Sequence, residues 1–305
     1  MEVRVSGFTL VRHGSQFDYP YLESLRSMLP LVDELVINVG FGEDDTLEKI
    51  QEFAHKEGQG KVQVFGSDWG LDQPEKKRAG LILSEQTNLA LEKCRHDWCV
   101  YLQADELLHE GDLSQIRHCI EKNQARNDVE GLLFDYIHFY GSYDVIQKTR
   151  SAYRREVRVI RKSAGARSVG DAQSFRKLDG SKLNVVLCGA KIFHYGWVRP
   201  PEVMKEKTFF FDQLYHGDPN PKNAQAGVPH TGDNYRYKRI WGLRRFLGTH
   251  PKVMSKRIES KGWQWDLESS PRVFVLKDIK KVIFDGIEEL TGYRFFEYRS
   301  YKLIR

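Results

Sequence analysis

Apolar positions follow two alternating rhythms through the first hundred residues. Residues 3–11 are rich in β-branched and aromatic side chains and end on the turn-like Arg12-His13-Gly14-Ser15, which predicts a strand. Pro20 stands at a helix start, and Tyr21, Leu22, Leu25, Met28 and Leu29 share one helical face over 20–29. ELVINVG (34–40) predicts a second strand closed by glycine, and KVQVFG (61–66) a third. Between them Thr46 to His55 predicts a helix with Leu47, Ile50 and Phe53 on one face. Residues 80–94 predict another helix, leading into WCVYL (98–102), a run apolar on both faces as in a strand covered on each side. Strands separated by helices of about ten residues indicate βαβ units, hence an α/β fold with a mainly parallel sheet flanked by helices. Ligands of such sheets sit beyond the carboxyl ends of the strands, which is where chemistry is to be sought.

The second half is less regular. GLLFDYIHFY (131–140) alternates, with Leu132, Phe134, Tyr136, His138 and Tyr140 on one side, and EVRVI (156–160) and NVVLCGAKIFHYG (184–196) predict further strands. From 212 to 235 the chain is polar and rich in glycine, proline and asparagine, which predicts a loop or domain boundary. Beyond it Val275, Ile279, Val282, Ile283, Gly286, Ile287 and Leu290 recur at helical spacing, with Gly292 as a stop.

Composition narrows the class. With 305 residues, 40% of them hydrophobic, the chain can bury a sizeable core, and 29% charged residues argue against wholesale disorder. No stretch approaches the roughly 20 apolar residues that span a bilayer, and MEVRVSGFTLVRHG reads as a strand rather than a signal peptide. The expectation is a cytoplasmic protein, either free or peripheral at the inner face of a membrane. Cys94, Cys99, Cys119 and Cys188 form no CxxC pair and read as reduced, structural thiols. A net charge of +5 is compatible with an anionic substrate. YRYKRIWGLRRF (235–246) concentrates basic and aromatic residues, as in patches that meet nucleic acid or lipid headgroups, and equally as in a solvated basic face with buried rings.

The most informative segment is WCVYLQADELLHEGDL (98–113), where a buried strand runs directly into Ala104-Asp105-Glu106. Two adjacent acids beside an apolar core repel each other, and something positive has to offset them. A divalent cation with oxygen ligands does so, and would also neutralise a leaving diphosphate. The alternative is that both acids simply cap the following loop, and the pattern alone leaves the two open.

The strand running into ADE resembles the DxD-type motif of family 2 glycosyltransferases with the GT-A fold. FTLVRHGSQFDYPYLESLRSMLPLVDELVINVG (8–40) resembles the opening strand–helix–strand of that family. GEDDT (42–46) resembles the end of its DGSxDGT loop, with Asp44 and Thr46 in register. SEQTNLALEKCRHDWCVYLQADE (84–106) resembles the helix and strand that deliver the metal motif, Asn88 included. The likeness covers residues 3–210. It implies a nucleotide-sugar-binding and catalytic GT-A domain over 1–225, with a helical, basic-aromatic extension over 226–305. The implied activity is an inverting, metal-assisted transfer of a sugar from a nucleotide-sugar donor to a glycan or lipid-linked acceptor, as in polysaccharide biosynthesis.

The resemblance also implies site residues. Asp105, Glu106 and His194, the last in IFHYGWVRPP (192–201), are the candidate ligands of Mn²⁺ or Mg²⁺. Arg12, Asp44, Asn88, Gln103, Asp105, Arg199 and Lys205 are the candidate donor contacts, with Lys207 beside them as part of a phosphate clamp. Asp171 in SVGDAQSFRK (168–177) is the candidate base that deprotonates the acceptor, with Asp135 and Asp179 in reserve. Trp197, Tyr136, His138 and Tyr140 offer flat faces to a sugar. Two positions depart from the pattern: Gln103 replaces the first acid of DxD, and Gly40 stands where the family has the aspartate that reads the base. Gln103 is the best argument for a non-catalytic nucleotide-sugar or glycan-binding relative. A nucleic-acid-binding protein is the remaining alternative, although no nucleic-acid motif appears and nucleic acid is not among the expected partners.

Overall fold

The computed structural model describes residues 3–217, 235–276 and 278–305. Its N-terminal half alternates as the apolar rhythm predicts: β1 (Val5–Val11), α1 (Tyr21–Met28), β2 (Glu34–Gly40), α2 (Thr46–Lys56), β3 (Val62–Ser67), α3 (Leu81–Lys93) and β4 (Trp98–Tyr101). These strands lie in the order β3-β2-β1-β4, all parallel. Because both faces are covered, alternate residues of one strand enter different cores. Leu35, Ile37 and Val39 of β2 and Trp98 and Val100 of β4 pack with α1, α2 and α4 (Leu113–Lys122). Val36, Cys99 and Tyr101 pack on the opposite side with Ala90 and Leu91 of α3.

Past β4 the chain turns through residues 103–105 into a three-residue strand, β5 (Glu106–Leu108). The sheet is extended by β6 (Gly131–Tyr140), β7 (Ser142–Gln147) and β8 (Arg155–Arg161). β8 runs antiparallel between β4 and β6. A ribbon of β9 (Ala166–Val169) and β10 (Ser174–Lys177) carries Asp171 in its turn. The long β11 (Asn184–Trp197) pairs in parallel with β6 and antiparallel with β5, so that Glu106, His194 and His138 stand abreast on three neighbouring strands. α5 (Pro201–His216) follows β11 directly.

The predicted loop over 212–235 is corrected at its start: residues 212–216 continue α5, whose Leu214 is buried. Residues 218–234 of that loop, and the division drawn at 225/226, lie outside the described residues. Beyond it the chain adds β12 (Leu243–Arg245) to the edge of β7, then α6 (Ser255–Glu259), α7 (Asp278–Thr291) on the predicted helical stretch, and β13 (Lys302–Leu303) alongside β11. The four cysteines are free and buried. Among the described residues no helix is long and apolar enough to cross a membrane.

Candidate functional site

The carboxyl ends of β1 and β4 open into a cavity of about 410 Å³, within the range of about 300–1,000 Å³ found for small-molecule sites. One wall is Arg12, Phe17 and Tyr19, which follow β1, and Trp69, which follows β3. Gly40 at the end of β2 makes room for that tryptophan, since a Cβ there would stand 2.4 Å from Trp69 Nε1. The Arg12 guanidinium lies 5.3 Å over the indole, and the Trp69 N–H is buried without a hydrogen-bond partner. The opposite wall is one face of α5, with Met204, Lys207, Thr208, Phe211 and Tyr215 spaced by three and four residues.

Asp105 lies between these walls, 6% exposed. Its Oδ2 is 3.4 Å from Lys207 Nζ and 3.9 Å from Arg199 Nη2, and its Oδ1 is 3.7 Å from His194 Nε2. Burial alone would raise the Asp105 carboxyl, but Lys207, His194 and Arg199 together hold it below its ordinary value. Burial, reinforced by Arg199, lowers the Lys207 ammonium to about 7 against the pull of Asp105. Lys207 also donates to the Gly196 carbonyl at 2.8 Å. Arg199 is fully buried, its guanidinium 4.6 Å over the Tyr19 ring, and its Nε and Nη1 have no hydrogen-bond partner. The basic-aromatic segment holds this arginine in place: Tyr237 Oη donates to the Arg199 carbonyl at 2.8 Å and accepts from its N–H at 3.2 Å.

His194 has a defined tautomer. His138 Nε2 stands 2.6 Å from the Tyr153 carbonyl, which can only accept, so that nitrogen carries the proton. Burial, aided by His194, pushes His138 down to about 3, so its ring is neutral and its Nδ1 is an acceptor. His194 Nδ1–H therefore donates across the 2.9 Å contact. Burial also lowers His194 below its ordinary value against the pull of Asp105 and Glu106, and its Nε2 faces Asp105 Oδ1. Gly196 permits this approach, because a Cβ there would stand 2.5 Å from His194 Nε2.

Glu106 differs from its neighbour. It is fully buried and accepts from Arg158 Nε and Nη2, both at 2.8 Å, from Tyr136 Oη at 2.8 Å and from the Gln103 N–H at 3.0 Å. A carboxylate so occupied, beside a guanidinium that cannot shed its charge, is a structural ion pair rather than a cation ligand. Asp44 likewise stays out of the cavity: its Oδ2 accepts from the N–H groups of Ser15 and Gln16 and from Thr46 Oγ1, tying the turn after β1 to the start of α2. Asn88 exchanges two hydrogen bonds with the Ser168 backbone and joins α3 to β9. Neither Lys205 nor Arg199 lines the cavity, whereas Arg12, Gln103, Asp105, Asp171 and His194 do. Gln103 Nε2 donates to the Ala172 carbonyl at 3.4 Å, and Asp171 accepts from Tyr215 Oη at 2.8 Å and from the Gln173 N–H at 3.3 Å. Asp135 pairs with Arg155, and Asp179 caps its own turn. Of the flat faces, only Trp197 lines the cavity; Tyr136 and His138 lie beneath it and Tyr140 packs against Tyr237.

These residues do not fit a divalent cation. Among the described residues no three His, Cys, Asp or Glu side chains converge. Of the two carboxylates that line the cavity among the described residues, Asp171 is held by Tyr215 and Gln173, and the charge of Asp105 is already matched by Arg199 and Lys207. The site has no net negative charge left with which to hold a dication.

Some of the site went unread in the sequence. Arg158 was legible: in β8 it alternates with Val157 and Val159, and a charge inside a doubly covered strand must find an opposite partner. The cavity face of α5 was legible too, in the spacing of Lys207, Phe211 and Tyr215.

No family model matches the chain, and no curated protein does. Solved structures that resemble it include crystal structures of S. aureus TarS. TarS 1–349 is 11% identical at a TM-score of 0.37, over 68% of this chain and 64% of that one. Full TarS is 11% identical at 0.39, over 72% of this chain and 41% of that one. TarS 1–349 in complex with UDP-GlcNAc is 12% identical at 0.32, over 45% and 35%. The chain thus spans less than two thirds of the TarS chains it resembles, and likenesses at these TM-scores carry no argument about chemistry.

Proposed function

We propose that this chain transfers a sugar from a nucleotide-sugar donor to an acceptor hydroxyl, with Asp171 as the base. The observation that carries this reading is the cavity itself: flat aromatic walls for a base and a sugar, converging at strand ends on the Lys207 ammonium, with the buried Arg199 flanking Asp105 beside it. Asp171 takes the acceptor proton as the hydroxyl oxygen bonds to the anomeric carbon. The bond from that carbon to the diphosphate breaks, and the nucleoside diphosphate leaves with the electron pair. Attack from the face opposite the leaving group inverts the anomeric centre. Tyr215 orients the Asp171 carboxylate, and Trp197 offers a face to the acceptor.

The test is release of nucleoside diphosphate from a panel of nucleotide sugars with glycan and lipid-linked acceptors. Asp171→Asn is expected to lower turnover by about 10²–10⁴ while donor binding persists. Full turnover in that variant would remove Asp171 as the base. One observation favours a second reading, donor binding without transfer: both Asp171 oxygens already accept hydrogen bonds. Donor affinity with no diphosphate release across the acceptor panel would establish it.

Against the nucleic-acid reading, three of the five basic residues of that segment are paired: Arg239 with Glu268, Arg244 with Glu289, and Arg245 with both Asp144 and Asp266. A peripheral membrane contact has support in Leu276, Leu290 and Phe296, at least 85% exposed near Lys280 and Lys281. Co-sedimentation with vesicles containing anionic lipid, but not with purely zwitterionic ones, is the outcome that fits.

A further inference from the structure

The lack of fit to a divalent cation leaves a question that the cavity answers with its own residues. A leaving diphosphate needs positive charge beside it, and the carboxylate that would have held a metal holds Lys207 and Arg199 instead. We propose that Lys207, backed by the buried charge of Arg199, takes the place of the metal, and that a diphosphate binds this site, and leaves it, without a divalent cation. The proposal rests on the donor-binding reading above and names what grips the donor.

Three observations carry it. Lys207 reaches into the cavity from the middle of α5, its side chain 14% exposed, and is fixed at two points: Asp105 Oδ2 at 3.4 Å and the Gly196 carbonyl at 2.8 Å. An ammonium held at 3.4 Å makes only a loose contact with its carboxylate, which leaves a proton free to donate elsewhere. Arg199 is 0% exposed, yet its Nε and Nη1 are unpartnered. Arg199 does not line the cavity, so it acts through its permanent charge, 3.9 Å from Asp105 Oδ2, rather than by touching the ligand. Asp105 completes the arrangement as the counter-charge that keeps two cations side by side when no ligand is present. Its role is thus to position Lys207 and Arg199, where a metal site would make it a ligand.

Calorimetric titration of the full chain decides this, with inorganic pyrophosphate and with uridine, guanosine, adenosine and thymidine diphosphates, each in EDTA and in excess Mn²⁺. The expected result is binding of at least one diphosphate in EDTA, changed less than about threefold by Mn²⁺. Lys207→Met is expected to weaken it by tenfold or more. Asp105→Asn, which keeps the side chain's shape and removes the competing charge, is expected to bind in EDTA at least as tightly as the parent. Because Lys207→Met removes the partner of a buried carboxylate, its fold is checked by circular dichroism, and Lys207→Met combined with Asp105→Asn serves as a second variant without the orphaned charge. Tenfold weaker binding in that pair, relative to Asp105→Asn alone, supports the proposal. Binding that appears only with Mn²⁺ and vanishes in Asp105→Asn overturns it while upholding a donor site. Absence of any diphosphate binding, with or without Mn²⁺, overturns it together with the donor-binding reading.

Discussion

Glu106→Gln separates a structural acid from a chemical one. Glutamine keeps the shape of the side chain and one acceptor oxygen, but it removes the charge and places an NH₂ group against a donor. Glu106 accepts four hydrogen bonds, two of them from Arg158, and both side chains of the pair are 0% exposed. Arg158 cannot deprotonate and cannot reach water, so the substitution leaves an uncompensated buried guanidinium. Removing one partner of such a pair costs about 3–5 kcal/mol, a large part of the roughly 5–15 kcal/mol by which folded domains are stable. In thermal terms that is a fall of roughly 5–15 °C in melting temperature. Urea denaturation followed by tryptophan fluorescence measures it directly. The double variant Glu106→Gln with Arg158→Met is expected to recover part of the loss, since no charge is then stranded, and the cycle gives the coupling energy. A loss below about 1 kcal/mol in Glu106→Gln would refute the ion-pair reading. Unchanged stability with an abolished Mn²⁺ response would return Glu106 to a metal site.

Two further predictions follow from the same geometry. Gly196→Ala places a Cβ 2.5 Å from His194 Nε2 and 3.2 Å from Asp105 Oδ2, so His194 must move. Overpacking of this kind costs about 1–3 kcal/mol, and calorimetry is expected to show donor affinity falling with it; unchanged affinity would mean that the position of His194 does not matter. Glu34 is a pH-sensitive group away from the cavity. Burial opposes its charge, but Ser6 Oγ and the backbone and guanidinium of Arg95, at 2.5–2.6 Å, outweigh burial and lower its folded value. Its contribution is therefore present above the unfolded carboxyl value of about 4.3 and is lost as pH falls through the lower folded value. Glu34→Gln is expected to lose stability at neutral pH and to converge on the parent in acid, as read from melting temperature against pH; parallel curves would contradict the assignment.

The fold was legible where one element covers another locally. β2 shows its two-sided burial in ELVINVG, where Leu35, Val36 and Ile37 run apolar without alternation. α1 and α2 announce themselves by faces that a single window contains. β5 did not, because three residues are too few for a period and its existence depends on the distant β11. The end of α5 was hidden for another reason. Polar Asp212, Gln213 and His216 precede a stretch dense in glycine and asparagine, and composition spread that signal backward over a helical turn whose Leu214 is buried.

The two adjacent acids show most clearly what a local pattern can and cannot carry. That Asp105 and Glu106 need positive partners follows from their place beside an apolar core. Which partners they meet does not, because Arg158 lies 52 residues from Glu106 and Lys207 lies 102 from Asp105. Register decides it: β8, inserted between β4 and β6, brings its inward-facing Arg158 beneath the floor, while β11 delivers the chain into α5 and so sets Lys207 above it. The DxD resemblance pointed to a metal because it supplies the acids without the cations. Once the sheet is assembled, one acid is consumed by a structural arginine and the other is matched by cations that line or flank the cavity. On the reading proposed above, an anion is drawn by the positive charge held in excess over Asp105, which makes Lys207, backed by Arg199, rather than either acid, the residue on which donor affinity turns.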